Sequence, residues 1–174
     1  GGDDAPDAAS PPVPDAALPA PRTCDVKVLT PLARTEPRDD LGMAWDVEVI
    51  GTRAYLAYAG GVEVIDVSDP ARPTPMGTSE AEVAMTRGLA VRDVEGRRLG
   101  FLAVTGDGLR ALDLTDDWDP HEVGAYDLVG AAGAEYANDL ELVGDTAFVA
   151  AHAQGLWAVD VSNPRRPRPL GHCC

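Results

Sequence analysis

Apolar residues in this chain fall into short runs of about five residues, bounded by Gly, Asp, Asn and Pro. Runs of this length that are rich in Val, Ile, Leu and aromatic residues are typical of β-strands joined by tight turns. A helical spacing of apolar residues is missing, except for a brief candidate at residues 131–136. The pattern therefore predicts an all-β fold.

One eight-residue phrase recurs at a fixed spacing: GVEVIDVS at 61–68, GLRALDLT at 108–115 and GLWAVDVS at 155–162. Two apolar runs precede each copy and one follows it, so each unit holds four predicted strands. A four-strand repeat of this length is typical of a propeller blade. We predict a β-propeller-like array of three four-stranded blades, at about 41–83, 84–130 and 131–174. Because closed propellers need about four blades or more, the array is a partial or open propeller.

Both faces of the strand at 62–67 are apolar, which indicates burial between two neighbouring blades. The variable position of the phrase is Glu63, Arg110 or Trp157, and we expect this position to meet solvent or the rim of the array. Between its first two runs, the second unit is expected to have a longer turn through residues 95–98.

The pattern Gly-Leu-x-x-x-Asp-Val-Ser-x-Pro, preceded by a Tyr/Phe-(Leu/Val)-Ala strand, resembles the LVIVD repeat of bacterial and archaeal cell-surface proteins. The resemblance covers residues 44–174. It implies an extracellular β-propeller and does not imply a particular activity.

Residues 1–23 are dominated by Asp, Ala and Pro, and we predict a disordered tail that acts as a spacer. The start of this tail looks like that of a mature bacterial lipoprotein just after its lipidated cysteine. The expected location is therefore secreted, periplasmic or at the cell surface of a bacterium. Membrane contact would come only through a lipid anchor that precedes this numbering. An ordinary flexible terminus is the alternative.

The formal net charge of −15 and the sequence pI of about 4.3 argue against a nucleic-acid partner, because phosphate binding requires a basic face. Three cysteines are present: Cys24, Cys173 and Cys174. A bridge from Cys24 to either of the others would join the two ends of the array in an oxidising compartment. The cysteines lack the paired spacing of a zinc motif.

Polar and aromatic residues gather where the topology places the starts of first strands and the ends of second strands, at one end of every blade. These rim candidates are Trp45, Asp46, Arg87, Asp107, Asn138, Asp139 and His152. Carboxylates beside an imidazole could hold a divalent cation or orient a polar ligand. The alternative is that Asp and Asn only bond to backbone at the strand starts.

The aspartates of the phrase, Asp66, Asp113 and Asp160, are each 47 residues from the next. We predict a structural role for all three, in which the carboxylate accepts backbone N–H bonds that hold the following turn.

Three functions remain open, because the chain carries no recognisable catalytic motif. The favoured one is a non-catalytic surface or periplasmic module without a cofactor, which binds a protein, glycan or envelope component through its rim. The second is a metal-dependent hydrolase or lactonase that uses a divalent cation at the funnel. The third is a structural arm whose missing blades come from a second copy. Apolar flat faces on the first and last blades predict self-association.

Overall fold

The computed structural model describes residues 42–79, 85–128 and 137–173. Within these ranges twelve strands form three four-stranded antiparallel sheets, and the strands of each sheet lie side by side in chain order. This architecture confirms the predicted all-β, propeller-like array of three blades. The tail at 1–23, Cys24, Cys174 and the helical candidate at 131–136 lie outside the described residues.

Blade 1 consists of β1 (Ala44–Ile50), β2 (Arg53–Tyr58), β3 (Gly61–Asp66) and β4 (Thr74–Thr78). Blade 2 consists of β5 (Thr86–Val94), β6 (Arg97–Val104), β7 (Gly108–Asp113) and β8 (His121–Tyr126). Blade 3 consists of β9 (Asp139–Val143), β10 (Thr146–Ala150), β11 (Leu156–Asp160) and β12 (Arg168–Cys173), with a 3₁₀ turn at His152–Gln154. The described part of the chain holds no helix long and apolar enough to cross a membrane.

The first strand of each blade is its innermost strand. Strand β5 of blade 2 contacts both β1 of blade 1 and β9 of blade 3. The first strands therefore meet near a common axis, and the start of each lies at the same end of its blade as the turn between the second and third strands.

Each blade has two faces, which we name by chain order. The forward face points toward the following blade and the backward face toward the preceding one. On blade 1 the forward face carries Tyr55, Val62 and Val64, and these side chains pack against Leu102 and Leu112 of blade 2. All five are completely buried. Burying a side chain of this size stabilises the fold by about 1.5–3 kcal/mol, so this contact joins the two blades firmly.

The contact between blades 2 and 3 repeats the same plan. The forward face of blade 2 carries Phe101, Leu109 and Ala111, which pack in one cluster with Val149 and Val159 of blade 3. Alternation along β6 and β7 thus sends successive residues to opposite neighbours. Two apolar faces on one blade are the physical reason for the near-continuous apolar runs in the sequence.

The variable position of the phrase does not meet solvent, and that expectation is wrong. Glu63 and Trp157 are buried, and the side chain of Arg110 is largely covered. Because this position alternates with the forward-face residues, it lies on the backward face of its blade. Trp157 stacks there on His172, with 4.5 Å between the ring centroids.

The longer turn expected at residues 95–98 is also wrong. Arg97 and Arg98 pair with Val94 and Asp93 in the ladder between β5 and β6, and only Glu95 and Gly96 form the turn. Both have positive φ, 50° and 79°, which is the conformation of a type I′ hairpin turn. The extra residues of this unit lengthen the two strands rather than the loop.

Candidate ligand-binding rim

The rim is the end of the array where the first strands begin. Arg87, at the start of β5, lies over the exposed ring of Trp45, at the start of β1, with 4.8 Å between the guanidinium carbon and the ring centroid. Its Nε donates a hydrogen bond to the hydroxyl of Thr105 at 3.1 Å. A cation stacked on an aromatic ring is favourable by about 0.5–1 kcal/mol at an exposed site. The rim therefore has a polar-aromatic platform that spans blades 1 and 2.

Two rim aspartates bond to backbone at the starts of the inner strands. The carboxylate of Asp46 accepts the N–H of Val47 at 2.8 Å through Oδ1 and that of Leu89 at 2.9 Å through Oδ2. The second bond crosses from blade 1 to blade 2. Asp139 accepts the N–H of Leu140 at 2.9 Å through Oδ1. These bonds are the backbone contacts of the structural alternative.

Close approach of the inner strands depends on Gly88. A methyl group at this position would lie 2.7 Å from Cα of Asp139 and 3.0 Å from its Oδ1. Asp46 bonds to Leu89 from the other side, so the two aspartates flank the step from residue 88 to residue 89. The structure thus brings Trp45, Asp46, Arg87 and Asp139 to one place.

The remaining rim candidates have separate surroundings. The backbone N–H of Asn138 donates to the carbonyl of Ala150 at 2.9 Å, just before β9. Asp107 forms a 3.4 Å ion pair with Arg110, which also pairs with Asp127 at 3.1 Å. His152 is exposed and opens the 3₁₀ turn with a positive φ of 45°. Asp107 is therefore held in a charge network of its own blade.

Within the described ranges, no three His, Cys, Asp or Glu side chains lie close enough together to hold a metal ion. The divalent cation therefore remains a prediction. Cys173 is exposed and has a free thiol. Because Cys24 and Cys174 lie outside the described residues, the disulfide also remains a prediction.

The repeat aspartates lie at the end of the blades opposite the rim. Asp66, Asp113 and Asp160 each accept the backbone N–H of the residue two positions later, at 2.8, 3.0 and 2.9 Å. These backbone bonds lower the pKa of Asp66 and of Asp160. The same carboxylate in every blade thus holds the start of the loop between the third and fourth strands.

Asp113 has the most strongly perturbed carboxylate of the three. Burial raises its pKa, but hydrogen bonds from the Thr115 hydroxyl and from Arg97 outweigh burial and hold the pKa at about 2. The Arg97 bond is short, with 2.6 Å between Nη2 and Oδ2. Both partners favour the ionised form.

This pKa predicts a loss of stability in acid. A carboxyl group at about 2 in the folded state and 3.8 when unfolded contributes about 2 kcal/mol above pH 4, and this is lost as the pH falls toward 2. We expect Asp113→Asn to be less stable than the parent chain in urea at pH 6. The gap should narrow at pH 2.5, where the parent carboxyl begins to protonate. An equal gap at both pH values would contradict the assignment.

Arginines that cross between blades at this end were not identified from the sequence. Arg53 of blade 1 donates from Nε to Asp117 of blade 2 at 2.6 Å, and Arg98 of blade 2 donates to the Tyr55 hydroxyl at 2.7 Å. Arg92 bonds to the carbonyls of Gly144 and Val161 in blade 3. Strand pairing decides which residues face each other across blades, so no local motif marks these contacts.

Comparison with protein families finds a match on both sides of blade 2. The model of the LVIVD repeat matches residues 41–80, which include blade 1, and residues 134–173, which include blade 3. A search of curated proteins found no match. Blade 2, between the two matched segments, has the same strand order as its neighbours.

Proposed function

We propose that this chain, which carries LVIVD repeats and is a β-propeller-type repeat module, is a non-catalytic binding protein whose rim takes a glycan. The observation that carries this proposal is the exposed Trp45 ring stacked by Arg87 where the inner strands meet. An aromatic surface with a few converging polar groups is the usual composition of a small-ligand site.

The chemistry of the platform suits a sugar ring. The indole of Trp45 offers an apolar surface for the C–H face of a pyranose, and the guanidinium of Arg87 offers donors to its hydroxyls. Asp139 lies next to this platform and is exposed, so its carboxylate can accept hydrogen bonds from other hydroxyls. Rigid inner strands hold these groups, which limits the entropy lost on binding.

The hydrogen bonds of Asp46 favour binding over hydrolysis. Both of its carboxylate oxygens already accept backbone N–H groups, one of them from the neighbouring blade. A general base or a nucleophile must instead reach the reacting atoms of a substrate. Asp46 therefore acts as a positioning residue that joins the strands on which the platform is built.

Binding can be tested with immobilised bacterial-surface glycans and peptides, followed by tryptophan fluorescence titration of the oligosaccharides that bind. We expect Trp45→Ala and Arg87→Ala each to weaken glycan binding by roughly 10-fold or more, as for an anchor residue. Trp118→Ala is the matched control, because Trp118 is another exposed tryptophan in the loop before β8. It should bind like the parent chain.

Two results would reject the glycan proposal. If Trp45→Ala bound the same glycans with unchanged affinity, the platform would not be the site. If the chain bound peptides but no glycan, the partner would be a protein. Elemental analysis of the same sample addresses the hydrolase alternative, which would require a stoichiometric divalent metal together with turnover of an ester or lactone.

We also propose a secreted, periplasmic or cell-surface location. Support comes from the net charge of −15 and from the Asp-, Ala- and Pro-rich composition of residues 1–23. Fractionation of cells that produce the protein, with a cytoplasmic marker as control, tests this location. Recovery with the cytoplasmic marker would contradict it.

A further inference from the structure

The forward face of blade 3 has the residues of a blade contact without a following blade among the described residues. In blades 1 and 2 the equivalent pairs are Tyr55 with Val62 and Phe101 with Leu109, and all four are 0% exposed. In blade 3 Leu156 is 44% exposed and Phe148 is only partly buried. An apolar groove of about 220 Å³ runs along this face, lined by Phe148, Leu156, Ala158, Gly171, His172 and Cys173.

A glycine in the fourth strand marks the same vacancy. A methyl group at Gly77 of blade 1 would lie 2.5 Å from the carbonyl oxygen of Asp117, and one at Gly124 of blade 2 would meet that of Pro164. Each of these glycines thus receives a loop of the following blade. The equivalent Gly171 of blade 3 has no atom within 4 Å of that position.

The inner strand repeats the observation a third time. Asp46 of blade 1 uses Oδ2 to accept the Leu89 N–H of the following blade. The equivalent Asp139 of blade 3 bonds through Oδ1 to its own neighbour, Leu140. No donor in the described part of the chain bonds to its Oδ2. An acceptor, an apolar groove and an open glycine therefore lie on one continuous face.

The backward side of blade 1 has the complementary features. Val47 and Val49 of β1 are 53% and 57% exposed, whereas Leu89, equivalent to Val47 in blade 2, is buried. Val67, which begins the loop after β3, is partly exposed, although its equivalent Leu114 is buried in the contact between blades 1 and 2.

Part of the backward face of blade 1 is already covered. Glu63 and Ile65, in the third strand, are buried. The surface left for docking therefore consists of the inner strand with its two valines and of the loop at residues 67–70.

We infer that a second copy of this chain docks its blade 1 onto the forward face of blade 3. The valines of the incoming β1 would cover Phe148 and Leu156, and the loop at 67–70 would lie against Gly171, as the equivalent loops lie against Gly77 and Gly124. Each end of the array presents what the other lacks, so the contact is heterologous. Two such contacts close a pair if the rotation permits.

Sedimentation velocity of the whole chain over a wide concentration range, with reductant to keep Cys173 as a thiol, tests this inference. We expect reversible association that strengthens with added salt, because both copies are acidic. Gly171→Val and Val47→Asp should each weaken association by roughly 10- to 100-fold, by overpacking or by burying an unpaired charge. An equimolar mixture of the two variants should associate through its one intact contact. Trp118→Ala is the control and should associate like the parent.

Each remaining outcome overturns the inference. A parent chain that stays monomeric at all concentrations excludes the second copy as occupant. Association that survives Val47→Asp but not Gly171→Val would mean that two blade 3 faces meet each other. Association that survives Gly171→Val would place the contact elsewhere. Leu156→Asp probes the same face through a side chain that is already exposed, and serves if the glycine variant melts at a lower temperature than the parent.

Discussion

Phe101→Ala is expected to lower the free energy of unfolding by about 3–5 kcal/mol, because it empties a fully buried site. Phe101 lies in β6, in the contact between blades 2 and 3. The guanidinium carbon of Arg92 lies 5.3 Å from its ring centroid, and Arg92 also bonds to backbone carbonyls of blade 3. Truncation thus leaves a cavity and removes the surface that supports this arginine.

Urea unfolding followed by circular dichroism, at a concentration where the chain is monomeric, measures this loss. Phe148→Ala is the matched control, because Phe148 holds the same position in blade 3 on a face without a described neighbour. It should cost about 1.5 kcal/mol or less, since its ring is already partly in water. Equal losses for the two variants would mean that the forward face of blade 3 is as well packed as that of blade 2.

Gly77→Val is expected to destabilise the protein by about 3 kcal/mol, by forcing blade 1 away from blade 2. The added Cβ would lie 2.5 Å from the carbonyl oxygen of Asp117 and 2.7 Å from the carbonyl carbon of Trp118. These are backbone atoms, which cannot rotate away as a side chain can. The Asp117 carbonyl also accepts the N–H of Gly77 at 3.0 Å, and Arg53 holds the Asp117 carboxylate at 2.6 Å.

The melting temperature of Gly77→Val, compared with that of Gly171→Val, separates packing from strand propensity. Valine favours strands over glycine in both variants. Only Gly77 has a neighbouring blade against it, so the monomeric Gly171→Val protein should melt at or above the temperature of the parent chain. If both variants were destabilised equally, the loop contact would not be the cause.

The strand plan of this protein could be predicted from sequence because it depends on local chemistry. Short apolar runs between Gly, Asp and Pro predicted the strands, and the recurring phrase predicted three units. The role expected for Asp66, Asp113 and Asp160 also depends only on residues two positions away, and the carboxylates accept those N–H groups. Local hydrogen bonds need no knowledge of the neighbouring blades.

The sequence was misleading where strand alternation and blade order decide the environment. The position of Glu63, Arg110 and Trp157 varies like a surface site, yet it points at the preceding blade and is largely covered. The turn at Glu95 and Gly96 appeared longer because the arginines after it are polar, although they pair within the ladder. In both cases a polar side chain lies in a contact that its own neighbours in sequence do not reveal.

The candidate rim shows the same division. Topology placed Trp45, Asp46, Arg87 and Asp139 at one end of the blades before any coordinates were considered. The stacking of Arg87 on Trp45, and the bond from Asp46 to Leu89 across 43 residues, follow only from the packing of one inner strand on the next. The ion pair of Asp107 with Arg110 likewise depends on side-chain directions in a folded blade.

The sequence by itself therefore determined the repeat, the strands and the turn-holding aspartates, because hydrophobic alternation and short-range hydrogen bonds specify them within a few residues. The tertiary structure alone decided which residues cross between blades and which faces lack a neighbour. Those features depend on the relative placement of surfaces contributed by strands that are distant in the chain. Gly77, Gly124 and Gly171 are the same residue in the same repeat position, and only the blade beside each makes them different.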